Sequence, residues 1–534
     1  MISQAPGSQL RREHALRPTR FLATSTRAGD ARRPRDAWLL LNANRWGRAI
    51  VFGTMADPLW PVILAFCAGP VLLVAALSIF GGGSGEAMVA QSVLAGGTFC
   101  SLRLLSDYPM VNPVHAVVLL FHWWFGFGPS VCSAFWLWKG DAGKVDAYMR
   151  GGMTPILVVA FGLPLYAAAA RWVLRHWKRP QLTGAAPQGP VYEMGTLLAV
   201  GAAAGMVALS LQGLSFLGVN AYETVDYLGG RRTVQWWLVP LAEAYRLGDF
   251  AIAAGCALLA VPNLRKNATF RWVILGLVVL SFQRALTAGS KGALVLPAFY
   301  FLVAFGNWRR RVPWLLLVAG IFGYLAVVEP FVASTRTRAQ QVHAMTNADR
   351  VEIFSEGWRN FNAREQTRDV NVESLFRGIY PLAKEITDQS SFMEGPWKGQ
   401  SLRDGLSALL PRELFPDKAD SNMGNFFARQ LGAAAASNYV QNVAITIPFE
   451  LVGNYGWLAG WLSFAVLGAV WASVVACLLT VPRMTTHPLT PYLIAFGLAI
   501  ESSVGQFGNQ LKLLPIPFVF LYVVCWLARK RSAV

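Results

Sequence analysis

The sequence EPFVASTRTR (329–338) leaves one long apolar segment, and PFELVGNYGW (448–457) leads into the next. Between them lies a polar stretch, in a chain that is otherwise strongly apolar. From Ala333 to Asn442 this stretch holds 13 Lys and Arg residues and 13 Asp and Glu residues, whereas the whole chain carries a formal charge of +18. The excess positive charge therefore lies in the other loops and in the tails. Because basic loops of membrane proteins stay in the cytoplasm, the neutral stretch is predicted to lie outside.

The composition predicts an all-α, polytopic integral membrane protein. The chain has 534 residues, of which 54% are hydrophobic and 14% charged, and a mean hydropathy of +0.40, which is too apolar for an average soluble protein. Its apolar runs are long enough to cross about 30 Å of hydrocarbon as helices, and none alternates like a membrane β-strand. The basic residues cluster at the ends of these runs, so membrane orientation explains them better than nucleic-acid binding.

Hydropathy predicts about 12 transmembrane helices: 59–80, 87–104, 113–137, 152–172, 193–215, 236–261, 271–285, 291–307, 312–331, 456–480, 489–505 and 511–528. With the N-terminal tail in the cytoplasm, the inner loops are the basic ones. They hold Arg175, Lys178, Arg179, Arg265, Lys266, Arg271, Arg309, Arg310, Arg311 and Arg483, and the C-terminal tail ends in Arg529, Lys530 and Arg531. Both termini are therefore expected in the cytoplasm.

This topology divides the chain into four regions. A cytoplasmic basic tail (1–57) precedes a membrane domain of about nine helices (58–331), and an extracytoplasmic loop (332–455) precedes a membrane domain of about three helices with a basic C-terminus (456–534). Within the loop, VESLFRGIYPLAKEI (372–386) and SLRDGLSALL (401–410) mix apolar and charged residues at helical spacing. This pattern predicts short helices that lie on the outer membrane face and cap a cavity.

Basic residues at the predicted outer ends of spans form one group of candidate site residues. Arg284 and Lys291 flank the short turn between the seventh and eighth spans, where glycines permit close backbone approach. Two fixed cations next to a helix N-terminus suit a phosphate or diphosphate. The loop adds cations that suit the same ligand: Arg336, Arg338, Arg412 and Lys418. Ordinary surface salt bridges and snorkelling side chains are the alternative.

Carboxylates form the second group. Glu450 stands just before a span rich in Gly and aromatic residues, and is a candidate base or acceptor for a sugar hydroxyl; alternatively it is a helix-entry carboxylate favoured by the helix dipole. Glu243, Arg246 and Asp249 recur at intervals of three on one side of the sixth span. Such groups in a span either face a substrate or form a structural ion-pair network.

Several common sites are absent from the sequence. It has no Walker loop, no Rossmann fingerprint and no H-E-x-x-H motif. The six histidines show no metal-ligand spacing, and only His343 lies in the polar stretch. The six cysteines lie in or beside apolar segments, where packing is their expected role. The sequence therefore predicts metal-independent chemistry without a cofactor.

Three stretches resemble the Wzy-type polymerases of O-antigen and exopolysaccharide repeat units, which are related to the O-antigen ligases. TAGSKGALVLP (287–297) is similar to the family's T-G-S-R-G segment, and LLPRELFPDK (409–418) carries its P-R motif. FELVGNYGWLAGWLSFAVLG (449–468) is similar to an acidic residue followed by an N-F/Y-G-W-L-G turn. A large outward loop late in the chain agrees with the same family.

The resemblance implies polymerisation of undecaprenyl-diphosphate-linked oligosaccharide repeats at the outer face of the bacterial inner membrane, alongside a flippase and a chain-length regulator. The family's S-R-G arginine falls on Lys291, which weakens bidentate diphosphate binding there, and Arg284 is placed to compensate. The P-R arginine falls on Arg412 and the acidic residue on Glu450. Glu450, Arg412 and Arg284 are thus the predicted catalytic residues, with Glu329 and Glu243 as the alternatives to Glu450 as the base. The predicted substrate-binding residues are Lys291, Arg336, Arg338, Lys418, Glu243 and Arg246.

Two other functions fit the same sequence. An O-antigen-ligase-like enzyme would move a finished chain to a different acceptor, and His343 in the outer loop keeps that alternative open. A transporter or flippase for a glycan or an anionic substrate would use outward cations to line a pathway. Transporters of this kind place ionisable groups at the bilayer midplane, whereas here these groups gather near the predicted outer surface, which favours an enzyme.

Overall fold

The computed structural model describes residues 60–106, 113–149, 153–177, 190–208, 247–259, 262–287, 296–302, 378–407, 424–432 and 445–479, with the shorter pieces 319–320, 322–324, 352, 355–356, 358–359, 372, 376, 503–504, 507 and 523. Regular structure in these residues is helical, and none of them lies in a strand. The all-α prediction is confirmed for this part of the chain. The predicted spans 312–331, 489–505 and 511–528 lie almost wholly outside it.

The main helices are α1 (Trp60–Ile79), α2 (Gly85–Leu104), α3 (Pro113–His122), a π-helix (Trp123–Phe127), α4 (Gly128–Trp138), α5 (Ala142–Met149), α6 (Thr154–His176), α7 (Pro190–Ala208), α8 (Leu247–Leu258), α9 (Pro262–Lys266), α10 (Ala268–Thr287), α11 (Ile379–Asp388), α12 (Gln400–Ser407), α13 (Gly424–Gln430), α14 (Ile447–Tyr455) and α15 (Trp457–Leu479). The first four predicted spans coincide with α1, α2, the continuous helix 113–138, and α6.

Within the described residues, three stretches are long and apolar enough, by length and composition, to cross a membrane: Val114–Trp138, Ala142–His176, which takes in α5 and α6, and Trp457–Ala476. Large apolar side chains are exposed along them and along α1, including Leu72, Phe161, Leu462 and Val466, each more than half exposed. A surface of this kind suits lipid and is unusual on a soluble protein.

Cys100 is also exposed, so the packing role predicted for every cysteine is wrong at this position.

Helix α6 is the centre of the larger hydrophobic core, and α15 runs parallel to it. Gly162 of α6 faces Phe464 of α15 so closely that a Cβ would overlap the ring, and Gly468 meets the backbone carbonyl of Tyr166 in the same way. The two residues of each pair are 302 positions apart in the sequence. A constant separation means that the two helices run in the same direction. Small residues at such contacts let helix backbones approach closely.

Helix α2 also runs parallel to α6. Its Gly97 lies against the carbonyl of Ala160, and near its end the Leu104 carbonyl accepts a hydrogen bond of 2.9 Å from Arg171 Nη1. The continuous helix 113–138 runs in the opposite direction to α2, because Thr98 meets His122 and Gln91 meets Phe125. Helix α1 runs parallel to 113–138, because Gly69 meets Phe127 and Gly82, just after α1, meets Leu137. The result is a bundle in which α2, α6 and α15 all begin at the same end.

Replacement of Gly468 by Ala is expected to destabilise the protein by about 1–3 kcal/mol, because the new methyl group must push against the rigid carbonyl of Tyr166. Thermal unfolding in detergent measures this. Gly205→Ala on α7 is the control, since a Cβ there meets nothing within 4 Å and Ala favours the helix by up to about 1 kcal/mol. Equal melting temperatures for the two variants would contradict the close α6–α15 contact.

A proline and the π-helix interrupt backbone hydrogen bonding inside the bundle, and polar side chains bond to the carbonyls left without a helical partner. Pro70 has no N–H, so the carbonyl of Phe66 lacks its partner within α1. His122 lies 3.2 Å from that carbonyl through Nε2, and its Nδ1 lies 3.0 Å from Thr98 Oγ1. In the π-helix, the Phe125 carbonyl accepts a hydrogen bond of 3.0 Å from Gln91 Nε2. Neighbouring helices are what allow such breaks inside apolar bundles.

A second hydrophobic core is formed by α7, α8 and α10. Gly255 of α8 lies against Ile274 of α10 and near Val200 of α7, and Gly248 lies near Val207. Helix α8 is therefore antiparallel to α7.

Part of the polar stretch packs into the larger core. Ile379, Tyr380 and Ile386 of α11 are almost fully buried there, and Tyr380 Oη lies 3.4 Å from the carbonyl of Tyr148 in α5. The two short helices predicted in this stretch occur, as α11 and α12. They pack at the bundle end where α6 and α15 begin.

Candidate functional site

Helix α14 carries Glu450 and leads directly into α15. Thr446 precedes it in an extended conformation (φ −84°, ψ 153°), and its carbonyl accepts from the Glu450 N–H at 3.0 Å. Pro448 in the first turn is pre-set for a helix and needs no N–H partner there. The helix ends at Gly456, whose φ of +83° favours glycine. The sequence PFELVGNYG therefore folds into one short helix with the acid in its first turn.

The Glu450 carboxylate is fully buried and held from two sides. Ser401 Oγ of α12 donates to Oε1 at 3.0 Å, and the backbone N–H of Val504 donates to Oε2 at 2.5 Å. Ser503 lies just outside a helical turn that starts at Val504, and its carbonyl accepts from Phe507 N at 2.8 Å. One carboxylate thus joins α12, α14 and this later turn.

Asn454 fixes the serine that holds the acid. It lies one helical turn after Glu450, on the same face, and is buried. Its Nδ2 donates to Ser401 Oγ and to the Glu450 carbonyl, both at 2.7 Å. Its Oδ1 is buried without a partner. Glu450, Ser401 and Asn454 therefore form a connected buried network.

Glycines in α14 let the preceding segment lie directly on the helix. The Gly453 carbonyl accepts from the Trp397 N–H at 2.8 Å, and a Cβ on Gly453 would overlap the Trp397 ring. Gly395 faces the same carbonyl closely enough that it too has no room for a side chain. The glycines of GNYG are thus explained by close packing beside the acid.

Burial raises the pKa of Glu450 to about 7, while the bonds from Val504 and Ser401 act in the opposite direction. Glu450 is in α14, before the membrane-spanning helix α15. A carboxyl group with a pKa near neutrality can both take up and release a proton at physiological pH. The group is fully buried, so in this structure α12 and the Val504 backbone shield it from solvent.

A groove of about 310 Å³ lies at the same end of the bundle, between the beginnings of α2 and α6. Its lining includes Glu86, Val89, Met153 and Thr154, and Met153 also contacts Tyr380. The groove lining does not include Glu450.

Of the residues predicted to be catalytic or substrate-binding, Glu450 alone has its side chain in the described part of the chain. Arg284 lies near the end of α10, where the backbone is described. The other predicted residues lie outside the described ranges: Arg412, Lys291, Arg336, Arg338, Lys418, Glu243 and Arg246, and with them Glu329 and His343. Their roles, and their proximity to Glu450, stay predictions. Asp249 is half-buried in the first turn of α8.

Sequence reasoning missed Ser401, Asn454 and Val504. Asn454 had a signal, because it follows Glu450 by four residues in a helix-forming motif. Ser401 is 49 positions from Glu450 and Val504 is 54 positions away, and nothing in their local sequence indicates the contact. In the ranges that the structure describes, no three His, Cys, Asp or Glu residues gather as a metal site.

Comparisons with protein-family models, curated proteins and solved structures give no match for this chain. The resemblance to the repeat-unit polymerases therefore rests on the three motifs. Of these, FELVGNYGWLAGWLSFAVLG (449–468) lies entirely in the described part.

Proposed function

We propose that this protein is an inner-membrane glycosyltransferase that polymerises polyprenyl-diphosphate-linked oligosaccharide repeats at the outer face of the membrane. The observation that carries the proposal is the Glu450 carboxyl, which is buried, accepts hydrogen bonds from Ser401 and Val504, and has a pKa of about 7. It occupies the acidic position of the family's motif. A group with this pKa suits deprotonation of an attacking hydroxyl.

Helix directions support the proposed topology of 12 spans. If α6 and α15 both cross the membrane in the same direction, the chain must cross an odd number of times between them. The predicted spans 193–215, 236–261, 271–285, 291–307 and 312–331 are five crossings. Helices α2 and α6 are parallel as well, and one crossing, 113–138, lies between them.

The charges at the bundle ends support an outward position for the polar stretch. Helices α2 and α6 finish with Arg103, Arg171 and Arg175 at one end, which is typical of a cytoplasmic boundary. Tyr380 and Ser401 of the polar stretch lie at the opposite end. In the proposed orientation, Glu450 therefore lies on the outer side, where a flipped lipid-linked repeat presents its diphosphate.

The proposed reaction is a direct displacement. A hydroxyl oxygen of one repeat attacks the anomeric carbon of the other, the bond from that carbon to the diphosphate oxygen breaks, and polyprenyl diphosphate leaves with the bonding electrons. Glu450 accepts the hydroxyl proton. Arg412, Arg284 and Lys291 would stabilise the charge on the departing diphosphate, with Arg336, Arg338, Lys418 and Arg246 as further contacts and Glu243 as an acceptor for sugar hydroxyls. Positioning and charge stabilisation supply most of the rate in such transfers.

Glu450→Gln and Arg412→Ala are each expected to lower polymer formation by at least 100-fold and to accumulate single repeats. Loss of a general base costs about 10²–10⁴-fold, and loss of a donor that stabilises developing charge costs about 10²–10³-fold. The measurement is the length distribution of lipid-linked and exported glycan, at matched membrane levels of each protein. Glu385→Gln is the control, since Glu385 is exposed and bonds to Gln389 in the same helix region.

Other outcomes would replace the proposal. Unchanged polymer in both variants would mean that these residues are structural. Full-length polymer left on its lipid carrier in a deletion strain would identify a ligase. Movement of substrate across sealed vesicles without a new glycosidic bond would identify a transporter, whereas elongation by purified protein without a gradient would exclude transport as the source of polymer.

A further inference from the structure

A tight turn in the polar stretch carries two apolar side chains that are exposed on the protein surface. The turn Ser391–Glu394 is closed by the Ser391 N–H donating to the Glu394 carbonyl at 2.8 Å and by the Glu394 N–H donating to Ser391 Oγ at 3.1 Å. Phe392 is 48% exposed and Met393 is 64% exposed. Turn centres of this size usually hold Gly, Asn, Asp or Pro, so an exposed Phe-Met pair needs an explanation.

The turn is fixed to the beginning of α15. The Ser391 carbonyl accepts from Trp457 N and the Phe392 carbonyl accepts from Leu458 N, both at 3.1 Å. These are N–H groups of the first helical turn, which have no partner within the helix. A helix of 23 residues is about 34 Å long, slightly more than the hydrocarbon thickness. The turn therefore lies at the membrane boundary when α15 spans.

The exposed pair continues the lipid-facing surface of the bundle. The Phe392 ring packs edge-on against Trp461 at 5.9 Å, and Trp461 packs edge-on against Phe161 at 6.0 Å. Phe161 is 54% exposed on α6, and Leu462 is 57% exposed on α15. An unbroken apolar strip thus runs from the side of the bundle onto the turn.

We propose that Phe392 and Met393 insert into the acyl chains of the outer membrane leaflet. The partner is phospholipid, because the pair extends a surface already suited to lipid and lies at the level where acyl chains begin. Phe and other large apolar side chains are favoured at the boundary between headgroups and acyl chains. This proposal depends on α15 spanning the membrane, and its choice of the outer leaflet rests on the orientation proposed above; it does not require glycosyltransferase activity.

Insertion would also hold the acid-bearing helix in place. Three residues after the turn, the Trp397 N–H bonds to the Gly453 carbonyl, and Gly395 packs on the same carbonyl. A turn seated in lipid therefore fixes α14 relative to the membrane surface, and with it the depth of Glu450.

The test is a fluorescent probe at position 393. Met393→Cys, in a chain whose six native cysteines are replaced, is labelled with an environment-sensitive dye and reconstituted in phosphatidylcholine vesicles with or without lipid carrying a spin label high on the acyl chain. The expected result is blue-shifted emission and at least twofold quenching by the spin-labelled lipid. The exposed position Glu385→Cys is the control and should show neither effect.

Two results would overturn the proposal. Emission as in water at position 393 would place the turn in solvent. Blue-shifted emission without quenching by lipid would mean that protein, such as a second copy of the chain, covers the turn. Melting temperatures of the labelled variants, matched to that of the cysteine-free chain, establish that each is folded.

Discussion

The wild-type protein is expected to lose stability as the pH rises from 4.5 to 7, and the Glu450→Gln variant is expected not to. Burial raises the pKa of this carboxyl from 4.5 to about 7, so the folded state keeps a proton that the unfolded state releases in this window. The contribution of this group to stability is then complete below pH 4.5 and is lost as the pH rises to 7. A shift of about 2.5 pH units corresponds to roughly 3 kcal/mol.

The measurement is the melting temperature in detergent from pH 5 to pH 8, for wild type, Glu450→Gln and the exposed control Glu385→Gln. The wild type and the control should lose stability together as the pH rises, while Glu450→Gln stays nearly level. Parallel curves for all three proteins would show that the Glu450 carboxyl keeps an ordinary pKa. That result would also remove the observation on which the proposed base role depends.

This experiment also separates chemistry from folding. At pH 8 the Glu450→Gln variant avoids the cost of a buried carboxylate, and a Gln side chain retains an oxygen that can accept from Val504 or Ser401. We therefore expect this variant to be at least as stable as the wild type at that pH. A protein that is stable, inserted and yet forms no polymer points to lost chemistry.

Long apolar runs with clear ends were predictable from the sequence. The segments predicted at 59–80 and 87–104 occur as helices at 60–79 and 85–104. Ser84 marks the second start, because its Oγ accepts from the Ala87 N–H at 3.1 Å. Hydropathy finds such elements because a long apolar run by itself indicates a membrane-spanning helix.

The candidate site was less predictable, because its contacts join distant parts of the chain. Glu450 was found from a short motif, whereas the Ser401 and Val504 contacts arise only when α12 and the turn at Val504 pack on α14. Amphipathic spacing predicted α11 as a helix but gave no sign that Tyr380 would be buried in the bundle core. Helix periodicity shows which face is apolar and is silent on what covers it.

The π-helix at WWFGF (123–127) was also unforeseen, and its neighbourhood gives the second large prediction. His122→Leu leaves the Phe66 carbonyl unpaired and removes the acceptor of Thr98, besides the ring contact with Phe66 at 4.9 Å. An unpaired buried group costs about 1–3 kcal/mol. With the lost packing, we expect destabilisation of roughly 2–5 kcal/mol, measured as thermal unfolding in detergent.

Pro70→Ala should rescue much of this loss. Alanine supplies the N–H that proline lacks, so the Phe66 carbonyl can bond within α1 and no longer needs His122. In the Pro70→Ala background, His122→Leu is therefore expected to cost about 1–3 kcal/mol less than in the wild type. Pro164→Ala is the matched control, since Pro164 lies inside α6 and frees the carbonyl of Ala160 instead. If Pro70→Ala and Pro164→Ala changed the cost of His122→Leu by the same amount, or if neither changed it, His122 would be stabilising the bundle by packing alone. A rescue confined to Pro70→Ala would show that this histidine is held in the apolar core by the carbonyl that a proline leaves open.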